Sequence, residues 1–380
     1  MRVALVHYWL LGSRGGEKVL EAICRLLPEA DIFTLFYDPE RVSPLIRSKK
    51  VTASFLNPLK RFHRNLLPLM PMALESFDLR DYDLVISSES GPAKGVITSS
   101  NTRHICYCHT PMRYLWDLYP AYRNDFGAGP LTRALMAPVS NYLRTWDYST
   151  ASRVDTFLAN SWNVRRRIWK TWRRRARVLH PPVPVESFCF KPSEDYFLMV
   201  SEMVSYKRLD YAVRTFAGNG RKLKIVGDGP EYSKLRRLAT ANVEFCGRVP
   251  DEELRGLYAR SAALIVPGEE DFGMTMVESL ASGKPVIALG RGGAMEIVGA
   301  DGGVLYDDAS EAGLTEALRV FDRVEPSISP LLLSTRAGAF SEEIFEAEFR
   351  AVLSKASRQA ASQVNLQPIY NFRTTPAASG

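Results

Sequence analysis

Between Ala262 and Val298 the chain reads AALIVPGEEDFGMTMVESLASGKPVIALGRGGAMEIV, and this stretch constrains the fold more than any other. Ala262 to Val266 is an apolar run of buried-strand length. Pro267 and Gly268 turn the chain, and the acidic Glu269-Glu270-Asp271 leads into Phe272-Gly273. Met274, Val277, Leu280 and Ala281 then fall on one face of a helix. Gly283 sits where a helix C-cap glycine belongs. A second apolar run, Pro285 to Leu289, ends in Gly290, and Gly292-Gly293 opens another helix with Glu296 in its first turn. Strand, loop, helix, strand, glycine loop, helix is a βαβ unit with two turns facing a ligand.

The chemistry of those turns points to a phosphate. Backbone N–H groups of Gly273, Met274 and Thr275 lack intrahelical partners at a helix start, where an anion is favoured. Glu270 lies before the helix and Glu278 inside it, near enough to the start to accept hydrogen bonds from sugar hydroxyls beside the phosphate. The plain alternative is a surface charge in each case.

The beginning of the chain repeats the theme. Val3 to His7 is an apolar strand-like run. After it comes a loop containing Gly15-Gly16, then a helix carrying Val19, Leu20, Ile23 and Leu27 at helical spacing. Two glycines are less than a full dinucleotide fingerprint, so a tight turn explains them as well as a phosphate cradle does. Asp31 to Tyr37, Tyr82 to Ser87 and Ile105 to Cys108 read as further strands. The last of them runs into His109-Thr110-Pro111-Met112-Arg113-Tyr114-Leu115-Trp116-Asp117. A histidine at the C-terminal end of a strand stands where α/β sheets place ligands. Its neutral imidazole is suited to hydrogen-bond a sugar hydroxyl or a developing leaving group. In the second half, Tyr196 to Val200 is a strand followed by Lys207-Arg208, cations placed to neutralise a diphosphate.

The Glu-x7-Glu spacing with Phe-Gly, followed by Gly-Gly-x-x-Glu, resembles retaining glycosyltransferases of family 4. The His-Thr-Pro-x-Arg-Tyr-x-Trp-Asp run is similar to a bacterial subgroup that includes O-antigen and exopolysaccharide mannosyltransferases. The resemblance reaches to about residue 357 and implies a GT-B architecture: α/β, two facing Rossmann-like domains with parallel sheets. It places an acceptor-binding domain at residues 1–182 and a nucleotide-sugar-binding domain at 183–340. A helix at 341–357 would cross back to the first domain, and residues 362–380 form a tail without periodicity, expected to be disordered. His109 and Glu270 are the implied catalytic pair. Gly15, Gly16, Lys207, Arg208, Phe272, Gly273, Met274, Thr275 and Glu278 are the implied donor contacts. Arg113, Tyr114, Trp116 and Arg123 are acceptor candidates. One departure matters: the commonest family pattern has Arg five positions before the Lys, and here that position is Glu202.

The implied donor is a nucleotide sugar, with GDP-mannose the first choice from the subgroup. The implied acceptor is a lipid-linked or polysaccharide-precursor saccharide. A UDP- or dTDP-sugar donor, a nucleotide-sugar epimerase, and a non-catalytic basic adaptor remain as alternatives. Apart from Asp81-Tyr82-Asp83, which opens a strand, no Asp-x-Asp motif is present, so neither metal nor other cofactor is expected.

Charge divides unevenly. Residues 1–180 hold 27 Lys and Arg against 15 Asp and Glu, a net of +12, while the remainder carries −5. A basic front half fits an anionic partner. Apolar residues interleaved with cations across 51–77 (Phe55, Leu59, Phe62, Lys60, Arg61, Arg64) suit a segment lying on an anionic membrane. The run RRRIWKTWRRRAR at 165–177 invites a nucleic-acid reading, but no accompanying motif supports it, and a solvated or membrane-facing surface helix is preferred. No apolar run approaches the roughly 18 residues of a membrane helix. Five cysteines without zinc spacing fit a reducing compartment. The expected location is therefore cytoplasmic, peripheral on the inner face of the membrane. Val178 to Val185, with three prolines, reads as a stiff linker.

Overall fold

The computed structural model describes residues 1–12, 14–125 and 130–364. Seven strands form the first sheet: β1 (Val3–His7), β2 (Asp31–Thr34), β3 (Val51–Ala53), β4 (Leu84–Glu89), β5 (Arg103–Cys108), β6 (Thr156–Ala159) and β7 (Ala176–Val178). Their order is β3-β2-β1-β4-β5-β6-β7, all parallel. The second sheet holds β8 (Phe197–Val200), β9 (Leu223–Val226), β10 (Val243–Gly247), β11 (Leu264–Val266), β12 (Val286–Leu289) and β13 (Gly303–Tyr306). Its order is β10-β9-β8-β11-β12-β13, again all parallel. Both sheets are buried on two faces, which explains why β1 and β12 are continuous apolar runs rather than alternating ones.

Each order reverses once, between β1 and β4 in the first sheet and between β8 and β11 in the second. Ligands of open parallel sheets bind beyond the C-terminal ends of the strands at such points. The loops leaving β1, β4, β8 and β11 are therefore the ones that matter.

The two halves are tied at several places. Val183 donates its N–H to Phe340 O at 3.0 Å, so the connection between the sheets is pinned rather than free. The last helix, Glu342–Val364, carries Phe345, Phe349 and Val352 into the core formed by β1, β4, β5 and the helix Gly15–Leu26. Arg25 to Glu342 at 2.6 Å and Arg177 to Glu348 at 3.2 Å hold it there. The helix extends to Val364, so residues 362–364 are helical rather than tail, while 365–380 lie outside the described residues.

Residues 57–69 are a run of 3-10 turns, broken at Leu59 and Phe62. Pro58 and Pro68 supply no N–H to a regular helix, which accounts for the missing period. No helix among the described residues is long and apolar enough to cross a membrane.

Candidate functional site

A cavity of about 510 Å³ lies between the two halves. Arg14, Gly15 and Lys18 line it from the first; Glu202, Lys207, Arg248, Glu270, Gly273, Met274, Thr275 and Glu278 line it from the second. The glycine at 273 makes the helix start possible: its φ of 98° is left-handed, and a Cβ there would come within 2.1 Å of Met276 Cε. Helix Met274–Ala281 thus begins at the cavity wall, with its first N–H groups directed as a helix N-terminus directs them. Gly293 fixes the acidic loop by close approach. Its N–H donates to Glu270 O at 2.9 Å, and a Cβ would stand 1.9 Å from Phe272 O.

Three cation–carboxylate pairs meet in this cavity. Lys207 Nζ is 3.0 Å from Glu270 Oε1. Burial disfavours the Lys207 ammonium, but the Glu270 carboxylate overrides this and holds its pKa above the usual lysine range. Lys18 Nζ lies 3.8 Å from Glu278 Oε1, and Arg14 reaches Glu202 Oε2 at 3.2 Å across the gap between the halves. Glu278 is buried and accepts a 2.8 Å hydrogen bond from the Tyr258 hydroxyl, which fixes its carboxylate.

A second, smaller cavity of about 260 Å³ adjoins, lined among others by His109, Arg113, Tyr114, Asn160, Tyr206 and Asp271. His109 is half-buried at the end of β5, with Nε2 3.0 Å from Ser88 Oγ. Burial lowers its pKa to about 4, so the imidazole is neutral at physiological pH. A Cβ on Gly16 would lie 3.6 Å from His109 Nε2, so the glycine loop and the histidine share one wall.

The structure therefore brings Gly15, Gly16, Lys207, Glu270, Gly273, Met274, Thr275, Glu278, His109, Arg113 and Tyr114 to the two cavities. Four expected contacts stand elsewhere. Arg208 adopts a left-handed backbone (φ 53°), pairs with Asp210 at 3.2 Å and stacks over Tyr211. It is not among the residues that line the larger cavity, where Lys207 stands without it. Trp116 turns inward, donating Nε1–H to Asp147 Oδ2 at 2.8 Å. There it joins Trp172 and the fully buried Lys94, which leaves it a loop anchor rather than a sugar platform. Arg123 is exposed and absent from both linings. Phe272, expected to offer its backbone N–H, is outside both linings, with its ring packed against His180 and Phe340 behind the loop.

Sequence reasoning missed Arg14, Lys18, Arg248 and, most consequentially, Arg167. Arg14 and Lys18 flank the glycine pair, a signal that was available. Arg167 sits inside the basic run, where seven other cations conceal it. On helix Trp162–Trp172, the residues Trp162, Arg165, Arg166, Trp169, Lys170 and the flanking Arg173 face solvent. Arg167 alone of the run's first three arginines turns to the second half. It pairs with Glu269 Oε1 at 2.5 Å and with Asp271 Oδ1, and reaches Thr110 Oγ1 at 3.3 Å. Ser161 Oγ donates to Asp271 O at 2.6 Å, and Glu296 accepts the N–H groups of Trp162 and Asn163 at 3.0 and 3.2 Å.

Among the described residues no group of three His, Cys, Asp or Glu is placed to hold a metal ion. Asp81 and Asp83 are exposed and bound by Arg2.

A cleft between two parallel-sheet halves, walled by a glycine loop and a Glu-x7-Glu helix start, defines a two-domain group-transfer scaffold. The family described as Glycosyltransferase Family 4 matches residues 13–187, and Glycosyl transferases group 1 matches 186–321. The chain belongs to the family 4 glycosyltransferases of the GT-B fold. An uncharacterized glycosyltransferase of Methanocaldococcus jannaschii is 29% identical over 40% of this chain and 44% of its own length. The D-rhamnosyltransferase WbpZ of Pseudomonas aeruginosa is 32% identical over 33% of this chain and 35% of its own. A GDP-mannose-dependent alpha-(1-6)-phosphatidylinositol dimannoside mannosyltransferase of Mycobacterium tuberculosis is 36% identical over 25% of this chain and 26% of its own. Each match thus spans less than half of the relative. Among solved structures, Anabaena HepE in complex with UDP-glucose superimposes with a TM-score of 0.67 at 16% identity, covering 93% of this chain and 100% of its own. Sucrose-phosphate synthase of Thermosynechococcus elongatus gives 0.69 at 16%, covering 96% and 100%.

Proposed function

We propose that this chain transfers a sugar from a nucleotide diphosphate sugar to a lipid-linked or polysaccharide-precursor saccharide, with retention at the anomeric carbon. GDP-mannose is the first candidate donor, a choice supported by the His109–Asp117 run and by the mannosyltransferase relative. The observation that carries the reading is the cavity in which Glu278, the start of helix Met274–Ala281, and Lys207 with Glu270 converge opposite Gly15. In this reading Glu278, oriented by Tyr258, accepts the ribose hydroxyls. The N–H groups at Met274 and Thr275, with Lys207, Arg14 and Lys18, take the diphosphate.

During transfer the bond from the anomeric carbon to the diphosphate oxygen breaks, an acceptor hydroxyl oxygen bonds to that carbon, and the hydroxyl proton passes to the departing diphosphate oxygen. Charge grows on the departing diphosphate, and the four cations of the cavity are preorganised to stabilise it without a metal ion. Glu270 holds a sugar hydroxyl from the second half. His109, neutral and hydrogen-bonded to Ser88, meets the sugar from the first. Apposition of the halves excludes water, the competing acceptor. The enzyme works at the inner face of the cytoplasmic membrane, where the acceptor lipid resides, and takes no nucleic acid.

A thermal-shift screen of GDP-mannose, UDP-glucose, UDP-galactose and dTDP-rhamnose, followed by transfer assays with and without EDTA, tests this. A GDP-mannose shift and EDTA-insensitive transfer are expected. No shift with any nucleotide sugar would remove the proposal; a shift with a UDP-sugar alone would reassign the donor.

A further inference from the structure

Deep in the first domain lies a charged pair that the transfer reading does not use. Lys94 Nζ donates to Asp147 Oδ1, and neither side chain has any exposed surface. Burial disfavours the ammonium, but the Asp147 carboxylate overrides this and holds the Lys94 pKa above the usual lysine range. Removing two charges from water carries a large desolvation cost, and an apolar pair of similar volume is often at least as stable. Fold stability alone does not account for the pair.

Its partners do. Asp147 Oδ2 accepts two indole N–H groups, from Trp116 and from Trp172, each at 2.8 Å. Trp116 belongs to the loop that runs from His109 to Asp117, and Trp172 ends the helix Trp162–Trp172 that carries Arg167. Lys94 stands over the Trp172 ring at 4.4 Å and reaches Thr150 Oγ1 at 3.4 Å. The Lys94 backbone N–H donates to Glu89 Oε2 at 2.7 Å, and Glu89 O accepts the His109 N–H at 2.7 Å. Polar contacts thus run without a break from the backbone of His109 to the far end of the Arg167 helix. Both elements meet the second domain: Arg113 of the loop lies 3.5 Å from Asp271, and Arg167 pairs with Glu269 and Asp271. At the cleft the loop and the helix are also tied to each other by Asp117, 3.5 Å from Arg167. Asp117 is 42% exposed, so water and salt weaken that tie. The tie through Asp147 is shielded from solvent, with three donors converging on one carboxylate.

We infer that Asp147 is a positioning residue for sugar transfer: a buried carboxylate, neutralised by Lys94 and shared by two indoles, that fixes the His109–Asp117 loop and the Arg167 helix in one register. The pair is kept for that registration, not for stability. Its effect on transfer rests on the proposed function; the coupling of the two elements does not.

The test is hydrogen–deuterium exchange on the full chain, with melting temperatures and nucleotide release from the four nucleotide sugars of the thermal-shift screen. Leu115 and Leu118 donate their N–H groups within the loop, at 2.9 and 2.8 Å, and report its order. Trp116→Phe removes one donor to Asp147 and should speed exchange across the loop by about tenfold, the loss of one net hydrogen bond, while sparing the helix. Trp172→Phe should do the reverse. Lys94→Met with Asp147→Leu should speed exchange in both segments at a melting temperature close to that of the wild type. In that double variant kcat should fall by about tenfold, from a displaced His109 loop, with donor KM unchanged because neither residue lines the larger cavity. The single Trp→Phe variants leave Lys94 paired, so they decide the matter if the double variant does not fold. Wild-type exchange in both segments would overturn the inference. So would faster exchange across the whole first sheet with a lower melting temperature, the mark of a purely structural pair, or an unchanged kcat beside loosened segments. If the wild type releases nucleotide from none of the four sugars while the exchange pattern is as expected, the transfer reading fails and the coupling through Asp147 stands.

Discussion

Arg14 of the first half and Glu202 of the second meet at 3.2 Å across the cleft, a guanidinium from one domain facing a carboxylate at the position where the commonest family pattern has an arginine. Both side chains are partly exposed, so the pair itself adds little to stability. In the proposed reaction its consequence is for the ligand: the cation facing the diphosphate comes from the first half. Arg14→Ala is expected to raise the donor KM by about tenfold, the loss of one charge-assisted contact. Arg14→Glu combined with Glu202→Arg should recover much of it by restoring an arginine in the second half. Steady-state kinetics on the two variants and the wild type decide the matter. A donor KM unchanged in Arg14→Ala would refute a diphosphate role for this residue.

How much of this arrangement is legible without coordinates depends on whether a residue's partner is near in sequence. The unit from Leu264 to Ile297 is legible because its turns must be glycine: Gly273, Gly283 and Gly292 all have positive φ. His109 is legible because the end of a strand is a recognisable place. The 57–69 segment is not, since prolines and 3-10 turns leave no helical period to read. The Lys207-Arg208 pair shows the limit most plainly. Adjacent residues point in different directions because Arg208 takes the left-handed conformation that caps one turn and starts the next helix. Arg167 is distinguished from its neighbours by carboxylates that come near it only in the fold, Asp117, Glu269 and Asp271.

Glu278 depends on Tyr258. The hydroxyl donates to a buried carboxylate at 2.8 Å, and the Lys18 ammonium lies 3.8 Å from its other oxygen. Removing the donor leaves a buried charge less well solvated, which costs about 1–3 kcal/mol. Tyr258→Phe is therefore expected to lower the melting temperature and to weaken GDP binding, with Glu278→Gln weakening GDP binding further. Calorimetric titration of GDP against the variants measures this. Undiminished affinity in Glu278→Gln would show that the carboxylate does not hold the nucleotide.

Stability should fall on the alkaline side of neutrality. Burial raises Glu17 to about 7 and Glu89 to about 8 from their ordinary 4.5. The folded state then binds more protons than the unfolded one above pH 4.5, so these two groups lose stability as pH rises through 7 to 8. Burial acts oppositely on the imidazoles, lowering His7 to about 3 and His104 and His109 to about 4 from 6.5. Their contribution is complete above 6.5 and is lost as pH falls toward 4. Between 6.5 and 8 only the carboxyls among these five groups titrate, so the melting temperature should decline there. Glu89→Gln should flatten that decline. A melting temperature constant or rising from pH 6.5 to 8 would contradict the assignment.

Arg167 is a positioning residue for Glu270. It grips Glu269 and Asp271, the neighbours on either side, from the first domain, while Glu270 itself turns to Lys207 in the second. The loop is thus held by both halves at once, and Glu270 is aligned only while they are apposed. Ser161 and the Glu296 contact with the same helix reinforce this registration. Arg167→Ala removes the grip without touching the residues that line the larger cavity, so kcat should fall by about a hundredfold, the penalty of a misplaced reacting group, with little change in donor KM. Arg167→Lys keeps the charge but not the fork that spans two carboxylates, so it should rescue only in part. A role in folding alone would instead lower the melting temperature and leave kcat per folded molecule intact. Small-angle scattering adds a second readout: nucleotide-induced compaction should weaken in Arg167→Ala, because one of the contacts that register the halves is gone. Compaction and kcat both at wild-type values would refute the clamp.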